Sequence, residues 1–303
     1  MKISRKNFLK TGAVITGGIF LYRDRLMSMS PEISNNFTTL RDNAGIYTER
    51  GGTIGWFANN DAFVVVDSQF PDAAKNFLDG VRKTVNRKID VVLNSHHHAD
   101  HTSGNIFFKD HASMIVAHAK CKELQQKFNG IDPSKPQAYP NVTFADEWTL
   151  DLGVEKIWAK HLCPAHTGGD SIIHFQKSNI VHMGDLVFNR MFPYIDLVSG
   201  GSIVKWIELL SKVEAMFEKD TIYIYGHSLK PEMCYGNIKD IRAMRNYLSA
   251  LIDFVSKEIK SGKTQNQITS VDKIPGVNDV KEIREGMKKM NLEKAFEELT
   301  KQK

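Results

Sequence analysis

The chain has 303 residues, of which 42% are hydrophobic and 25% are charged, and its formal net charge is +5. This composition is that of an ordinary soluble globular protein, and the length accommodates one large domain or two smaller ones. Residues 1–27 contain six basic residues and one acidic residue, so the whole positive excess lies in that segment. The neutral remainder argues against a nucleic-acid-binding body, and we expect no nucleic-acid partner.

The first 27 residues have the pattern of an export signal. A basic start is followed by a short apolar run over 11–22. This run is shorter than a typical transmembrane helix and fits a signal peptide. The segment "SRKNFLK" resembles the twin-arginine export motif, with Lys6 in place of the second arginine. We expect 1–30 to be a signal peptide or N-terminal anchor. The protein would then be periplasmic or bound to the cell envelope, touching the membrane only through an uncleaved leader.

The three cysteines, Cys121, Cys163 and Cys234, form no Cys-x-x-Cys pair. Their odd number argues against a disulfide framework. Cys163 lies three residues before His166 and could in principle bind a metal, but a small buried thiol is the favoured interpretation.

Strand and helix patterns alternate along the rest of the chain, which we divide into a main domain over 31–265 and a C-terminal helical extension over 266–303. Two strands around Asn59-Asn60 have the pattern of a hairpin. Gly200-Gly201-Ser202 offers an N-cap for a helix that ends near Phe217. Further strands are predicted at 44–50, 89–93, 113–118, 142–144, 155–161, 171–175, 179–183 and 221–225, and further helices at 72–85, 119–128 and 238–259.

Four histidines and an aspartate occupy the six positions 96–101, "HHHADH", directly after the predicted strand 89–93. If the chain stays extended there, the side chains of His96 and His98 point to the same side and that of His97 points away. Asp100 and His101 follow as the chain turns, so they cannot easily serve the same ion as the first pair. The spacing therefore predicts two neighbouring metal ions rather than a solvated polar loop. Zinc readily accepts imidazole nitrogen and carboxylate oxygen.

Three more possible ligands lie just after predicted strands. His166 stands in "PAHTGGD", Asp185 ends "NIVHMGD" and His227 ends "TIYIYGH". A rigid strand end can hold a ligand while its polar atoms stay accessible. Each of the three alone would more often be a turn or surface residue.

Together, His-x-His-x-Asp-His, "AHTGGD", "HMGDLVF" and "YGHS" resemble the metallo-β-lactamase superfamily, in that family's order, from about residue 45 to 259. The resemblance implies an α+β fold: an αββα sandwich of two mixed β-sheets flanked by helices, with two Zn²⁺ ions at one edge. It assigns the first zinc to His96, His98 and His166, the second to Asp100, His101 and His227, and a bridging role to Asp185. The remaining histidines match no ligand position and are expected on the surface or on strands: His97, His161, His174 and His182. Asp67 would either support a ligand or cap the helix near Asp72.

The resemblance also implies a function: an exported dinuclear zinc hydrolase in which a metal-bridging hydroxide attacks the carbonyl of a small-molecule substrate. Asp100 is the expected catalytic residue, because it could orient the nucleophile or pass a proton to the leaving group. The best-known zinc β-lactamases have cysteine where this chain has Asp185, whereas lactonases and glyoxalase II thioesterases share the aspartate. A lactone, ester or thioester is therefore the preferred substrate. Phe188, Phe192 and Tyr194 could line the pocket, although such aromatic residues are more often core.

Three alternatives stay open at this point. The first is a β-lactam-hydrolysing enzyme, and the second is a mononuclear iron oxygenase of the same superfamily. The third is a zinc-binding module without catalysis.

Overall fold

Two mixed β-sheets are stacked in the computed structural model, which describes residues 36–130, 132 and 134–301. The first sheet has strands β1 to β7 in sequential order: Phe37–Arg41, Ala44–Tyr47, Ile54–Ala58, Phe63–Val66, Val91–Asn94, Ile115–His118 and Val142–Phe144. Its first four strands are antiparallel, and β4 to β7 are parallel. The predicted leader over 1–30 lies outside the described residues.

The second sheet contains β8 Glu147–Asp151, β9 Lys156–Lys160, β10 Ile172–Phe175, β11 Ile180–His182, β13 Ile222–Ile224 and β15 Tyr235–Gly236. Their order across the sheet is β15-β13-β11-β10-β9-β8, with β11 and β13 parallel. Two short strands, β12 Phe188–Asn189 and β14 His227–Ser228, pair with each other.

Helices cover both outer faces. They are α1 Pro71–Val81, α2 Ala99–Thr102, α3 Asn105–Phe108, α4 Ala119–Phe128, α5 Ile203–Val213, α6 Ile238–Lys260, α7 Gln265–Thr269 and α8 Met287–Lys301. No helix in the described part of the chain is both long and apolar enough to cross a membrane.

The hydrophobic core lies both between the two sheets and between each sheet and its helices. Strand β4 is buried on both faces, as a near-continuous apolar run predicts: Val64 and Val66 pack between the sheets, and Phe63 and Val65 pack under α1. Alternate residues of a strand point to opposite faces, so one strand can serve both layers. On the other side, Trp206 and its neighbours on α5 and α6 pack against the second sheet. The structure is thus the expected αββα sandwich.

Several element boundaries differ from the sequence predictions. Helix α1 ends at Val81 instead of 85, and α5 begins after its N-cap Ser202 as predicted but ends at Val213 instead of 217. The hairpin turn is present, with the Asn59 side chain accepting hydrogen bonds from the backbone of Asp61 and Ala62. Strands β1 and β8 were not predicted, because they lie at sheet edges and carry polar or exposed side chains. A buried apolar pattern is what distinguishes a strand in sequence.

The C-terminal helix α8 packs against α6 and α7, on the same side of the molecule as the helices that cover the second sheet. Leu292 and Ala295 of α8 are fully buried in the same hydrophobic cluster as α5 and α6.

Candidate metal centre

The histidine-rich loop leaves the carboxyl end of β5 and turns into α2. His98 still has an extended backbone, and the rings of His96 and His98 reach the same point, as the alternation of side chains predicts. Asp100 and His101 lie on the single turn of α2, so their side chains project to a different position. The change from extended chain to helix therefore separates the loop's polar side chains into two groups.

The first group comprises His96, His98, His166 and Asp185. The Nδ1 atom of His98 lies 3.0 Å from the Nε2 atoms of both His96 and His166. The Oδ2 atom of Asp185 is 3.7 Å from Nε2 of His96 and 3.5 Å from Nε2 of His166. All four ligand atoms lie within 4.8 Å of one another.

The second group comprises Asp100, His101 and His227. The Nε2 atom of His227 is 3.1 Å from Oδ2 of Asp100 and 3.3 Å from Nε2 of His101. Asp185 joins the two groups, because its Oδ1 is 3.0 Å from Nε2 of His101 and its Oδ2 is 3.5 Å from Nε2 of His227. The fold thus brings all seven predicted ligands into one cluster.

The donor set fits divalent metal ions. Ligand atoms about 2.1 Å from a tetrahedral ion lie roughly 3.4 Å apart, which matches the separations of 3.0 to 3.7 Å in the first group. Imidazole nitrogens this close, with their lone pairs converging, repel each other unless a cation or proton lies between them. The buried Oδ1 of Asp185 has no well-aligned hydrogen-bond donor among the described residues, and Nε2 of His101 lies 3.0 Å from it. Both features are those of a metal site.

Burial and charge keep most of the donors in their metal-binding forms. Burial lowers the pKa of His96 well below its usual value and that of His166 to about 3, so both rings are neutral. Burial acts to raise the pKa of Asp185 and of Asp100, but the neighbouring His227 and His101 outweigh it. The pKa of Asp185 is held well below its usual range, and that of Asp100 is about 2.

His101 and His227 behave differently from the first group. Burial acts to lower their pKa, but the carboxylates of Asp185 and Asp100 outweigh it and raise the pKa of each ring. Ligands must be deprotonated to bind a metal. A proton therefore competes with a metal ion more strongly at the second group than at the first.

The ring nitrogens that face away from the centre are held by hydrogen bonds. The Nδ1 of His166 donates to the Tyr194 carbonyl at 2.8 Å, and the Nε2 of His98 donates to Asp196 Oδ2 at 3.0 Å. Such outer partners fix the tautomer and orientation of a ligating imidazole.

Asp67 gives the same kind of support to the second group. Its Oδ2 accepts from His101 Nδ1 at 2.8 Å, and it also accepts from the backbone and hydroxyl of Ser95. Helix α1 has Phe70 as its N-cap, with no side-chain cap. Of the two interpretations left open by the sequence, the structure therefore shows the one in which Asp67 supports the predicted ligand His101 and not the one in which it caps the helix.

Two glycines allow the backbone to approach the centre. A Cβ atom on Gly52 would lie 2.1 Å from Cε1 of His101, and one on Gly226 would lie 2.0 Å from Oδ1 of Asp185. Any larger residue at either position would displace a predicted ligand.

The remaining histidines lie outside the two groups. His174 and His182 are on strands β10 and β11, as expected. The expectation that His97 lies on the surface or on a strand is wrong. Its ring is 2% exposed and lies 3.3 Å from the Ser199 hydroxyl, because the segment containing Asp196 and Ser199 folds over it.

Three aromatic residues were expected either to line the pocket or to lie in the core, and they differ in their distance from the metal centre. Phe188 stacks on His227 with ring centroids 5.3 Å apart, and the 44% exposed Tyr194 lies with its ring centroid 5.5 Å from that of His98. Phe192 packs instead against Tyr247, on the side of α6. Of these three residues, Phe188 and Tyr194 border the centre and Phe192 does not.

Sequence reasoning missed Asp196, Ser95 and the Tyr194 carbonyl. No sequence pattern identifies Asp196, because the histidine that it contacts lies 98 positions away in the chain. The three cysteines are free, and Cys163 is half-buried with its thiol donating to the Lys205 carbonyl.

Comparison with known proteins identifies the family to which the chain belongs. The family described as "Metallo-beta-lactamase superfamily" matches residues 47–227. The metallo-beta-lactamase IND-1 of Chryseobacterium indologenes is 22% identical over 153 residues, which are 50% of this chain and 61% of that protein. A type 2 metallo-beta-lactamase of Bacteroides fragilis is 20% identical over 262 residues, covering 82% of this chain and all of the relative. A hydroxyacylglutathione hydrolase of Brucella anthropi is 29% identical over 143 residues, or 46% of this chain and half of its own length.

Solved structures show the same fold. A metallo-beta-lactamase from Pontibacter korlensis matches with a TM-score of 0.60 at 14% identity, over 70% of this chain and 98% of the other. The sec-alkyl sulfatase PisA1 matches with a TM-score of 0.68 at 13% identity, over 87% of this chain and 50% of the other. With a family match that covers more than half of its residues, the chain belongs to the metallo-β-lactamase superfamily.

Proposed function

We propose that this protein is an exported hydrolase that uses two zinc ions to activate water against the carbonyl of a small molecule, with lactones, esters or thioesters preferred. The observation that carries the proposal is the position of Asp185. Its two oxygens face both groups of donors, so one carboxylate can connect two ions. The export part rests on the charge and apolar pattern of 1–27.

The charge of the donor set suits hydrolysis. Five neutral imidazoles and two carboxylates compensate only half of the charge of two divalent ions. Ions held in this way would supply Lewis acidity and lower the pKa of bound water toward neutrality.

Asp100 is the best-placed residue for proton transfer. Its side chain is 31% exposed, whereas that of Asp185 is 4% exposed, so Asp100 is the carboxylate that a substrate can reach. Its pKa of about 2 keeps it ionised at neutral pH, and His227 Nε2 lies 3.1 Å from its Oδ2. An ionised carboxylate at this point can orient a water molecule and carry a proton to a leaving group.

Tyr194 provides apolar surface next to the centre that a substrate can reach, whereas Phe188 is buried and supports His227. The Tyr194 ring lies beside His98 and is partly exposed, and the Phe188 ring lies flat against His227. An exposed aromatic surface next to a polar centre, as at Tyr194, suits an acyl group whose carbonyl must reach that centre.

The relatives support hydrolysis of a carbonyl compound, because they include metallo-beta-lactamases and hydroxyacylglutathione hydrolases. Cleavage of β-lactams is the second candidate. The full-length match to the lactamase of Bacteroides fragilis is the observation that favours it.

A hydrolysis panel on zinc-loaded protein tests the proposal, with an acyl-lactone, an aryl ester, a thioester and a cephalosporin as substrates. We expect turnover that disappears on chelation and returns with zinc. Asp100→Asn should lower kcat by about 10²- to 10⁴-fold, as expected for the loss of a general acid–base group. Asp72→Asn, at an exposed carboxylate, serves as the control. A zinc-replete protein that turns over none of the four substrates would contradict the proposal.

A further inference from the structure

One segment outside the strands supports two of the three histidines of the first group. This segment, residues 193–202, supplies the Tyr194 carbonyl to His166 and the Asp196 carboxylate to His98. The position of the segment therefore sets the orientation of both rings. In turn, the segment is held by α8, which lies beyond the part of the chain that matches the family.

Asn291 of α8 anchors the start of the segment. Its fully buried side chain donates from Nδ2 to the carbonyl of Pro193 at 2.9 Å, and its Oδ1 accepts from the Tyr247 hydroxyl at 2.7 Å. The same Nδ2 also donates to the Met287 carbonyl at 2.9 Å. The amide cannot rotate without losing these contacts, and a buried polar group left unpaired is costly. Pro193 is the residue immediately before Tyr194.

Glu298 of α8 anchors the end of the segment. Its carboxylate accepts from the Ser202 hydroxyl at 2.6 Å and from the backbone nitrogen of Ile203 at 2.7 Å, at the start of α5. A carboxylate stabilises a helix N-terminus, where backbone N–H groups lack partners.

This anchored end packs directly against the loop that carries His166. Ser202 donates its backbone N–H to the carbonyl of Ala165 at 2.7 Å. A Cβ atom on Gly201 would lie 2.5 Å from the carbonyl oxygen of His166. There is no room for the end of the segment to shift without moving His166.

We propose that α8 is a positioning element for the metal centre: Asn291 and Glu298 hold segment 193–202 so that His98 and His166 are oriented before a metal binds. The inference rests on the proposed binding of two zinc ions. It predicts selectivity, since Asp100, His101 and His227 make no hydrogen bond to the segment. Loss of a partner that touches a ligand weakens metal binding by about 10- to 100-fold, and anchors one contact further out should weaken it by about 3- to 10-fold.

The test compares Asn291→Leu with the control Val255→Ala. Val255 is fully buried on α6, eight residues after Tyr247 and so about 12 Å along the helix. Zinc dissociation constants are measured by competition with a chelator. In Asn291→Leu one of the two constants should rise by about 3- to 10-fold while the other stays constant. Val255→Ala should lower the melting temperature and leave both constants unchanged.

Imidazole N–H signals in NMR spectra identify which group is affected. Those of His166 and His98 should shift in Asn291→Leu, whereas that of His101, which is bonded to Asp67, should not. Tyr247→Phe removes only the hydroxyl that holds Asn291, and it should shift the same signals to a smaller extent if the leucine variant fails to fold.

Two results would overturn the positioning role. One is an unchanged pair of dissociation constants in a folded Asn291→Leu protein, and the other is equal weakening by Val255→Ala. If the wild type binds no zinc, the proposed function fails. The imidazole signals of the metal-free protein then still decide the inference, and unchanged His98 and His166 signals would disprove it.

Discussion

Asp67 and His101 form a fully buried pair, with Asp67 Oδ2 2.8 Å from Nδ1 of His101. The backbone of Asp67 has a φ of 64°, in the left-handed region, which β-branched residues avoid but aspartate and asparagine tolerate. The strained turn after β4 therefore places a carboxylate where it receives the histidine N–H and two donors from Ser95.

Asp67→Ala should weaken metal binding at the second group by about 10- to 100-fold, because His101 would lose its orienting partner. It should also lower the free energy of unfolding by about 1–3 kcal/mol for each buried donor left unpaired. Zinc competition and denaturant unfolding measure the two effects. Asp72→Ala, at an exposed helix position, is the control. Unchanged affinity for both ions would contradict a role of Asp67 in orienting His101.

Asp185→Ala should reduce the zinc content from about two ions per chain to one or none, because among the described residues only this carboxylate faces both groups. Elemental analysis of the purified protein measures the content. Glu232→Ala removes an exposed carboxylate and should leave it unchanged. One tightly held iron in the wild type would reject the dinuclear zinc assignment and favour the oxygenase alternative.

His174 should make the fold sensitive to acid at a site away from the metal centre. Burial lowers its pKa to about 4, against about 6.5 in an unfolded chain, and its buried Nε2 has no hydrogen-bond partner in the part of the chain that the structure describes. Between pH 6.5 and 4 the unfolded state binds a proton that the folded state does not. The free energy of unfolding therefore falls as the pH falls through this window.

The substitution His174→Gln should remove that part of the pH dependence. With a discount for partial exposure, we expect the wild type to lose about 1–2 kcal/mol more than the variant between pH 7.5 and 4.5. Urea unfolding at both pH values measures the difference. Equal losses in the two proteins would show that His174 does not titrate in this way.

Residues 1–27 should direct export. Replacing Arg5 and Lys6 with Gln removes both basic residues of the twin-arginine-like motif and should trap the protein in the cytoplasm, as measured by cell fractionation. Replacing Arg23 and Arg25, which follow the apolar run, is the control. If the first variant still reaches the envelope through the general secretory route, the twin-arginine part of the prediction is wrong and export itself stands.

The sequence identified the seven side chains that cluster better than it identified the residues that support them, for a physical reason. Positions 96–101 are adjacent in the chain, and His166, Asp185 and His227 follow apolar strands, so local patterns mark them all. Asp196 and Asn291 carry no such mark, because each acts through a contact 98 positions away. The sandwich could be predicted from the family resemblance and the buried strands, whereas the edge strands β1 and β8 could not.

The last prediction is that the zinc protein opens lactones and activated esters faster than β-lactams, and it rests on the residue at position 185. The Asp185 carboxylate lies between the two groups of donors. There it would occupy the position that the nitrogen of a β-lactam substrate, or the carboxylate of that substrate, needs in order to reach a metal ion. An ester expels an alkoxide, which can take up the proton that Asp100 would accept from the attacking water, whereas a lactam must expel a poorer nitrogen leaving group. Values of kcat/KM for an acyl-lactone, an aryl ester and a cephalosporin, measured on one metal-replete preparation, give the ranking. A clear preference for the cephalosporin would reverse it and place the chain among the β-lactam hydrolases of its family.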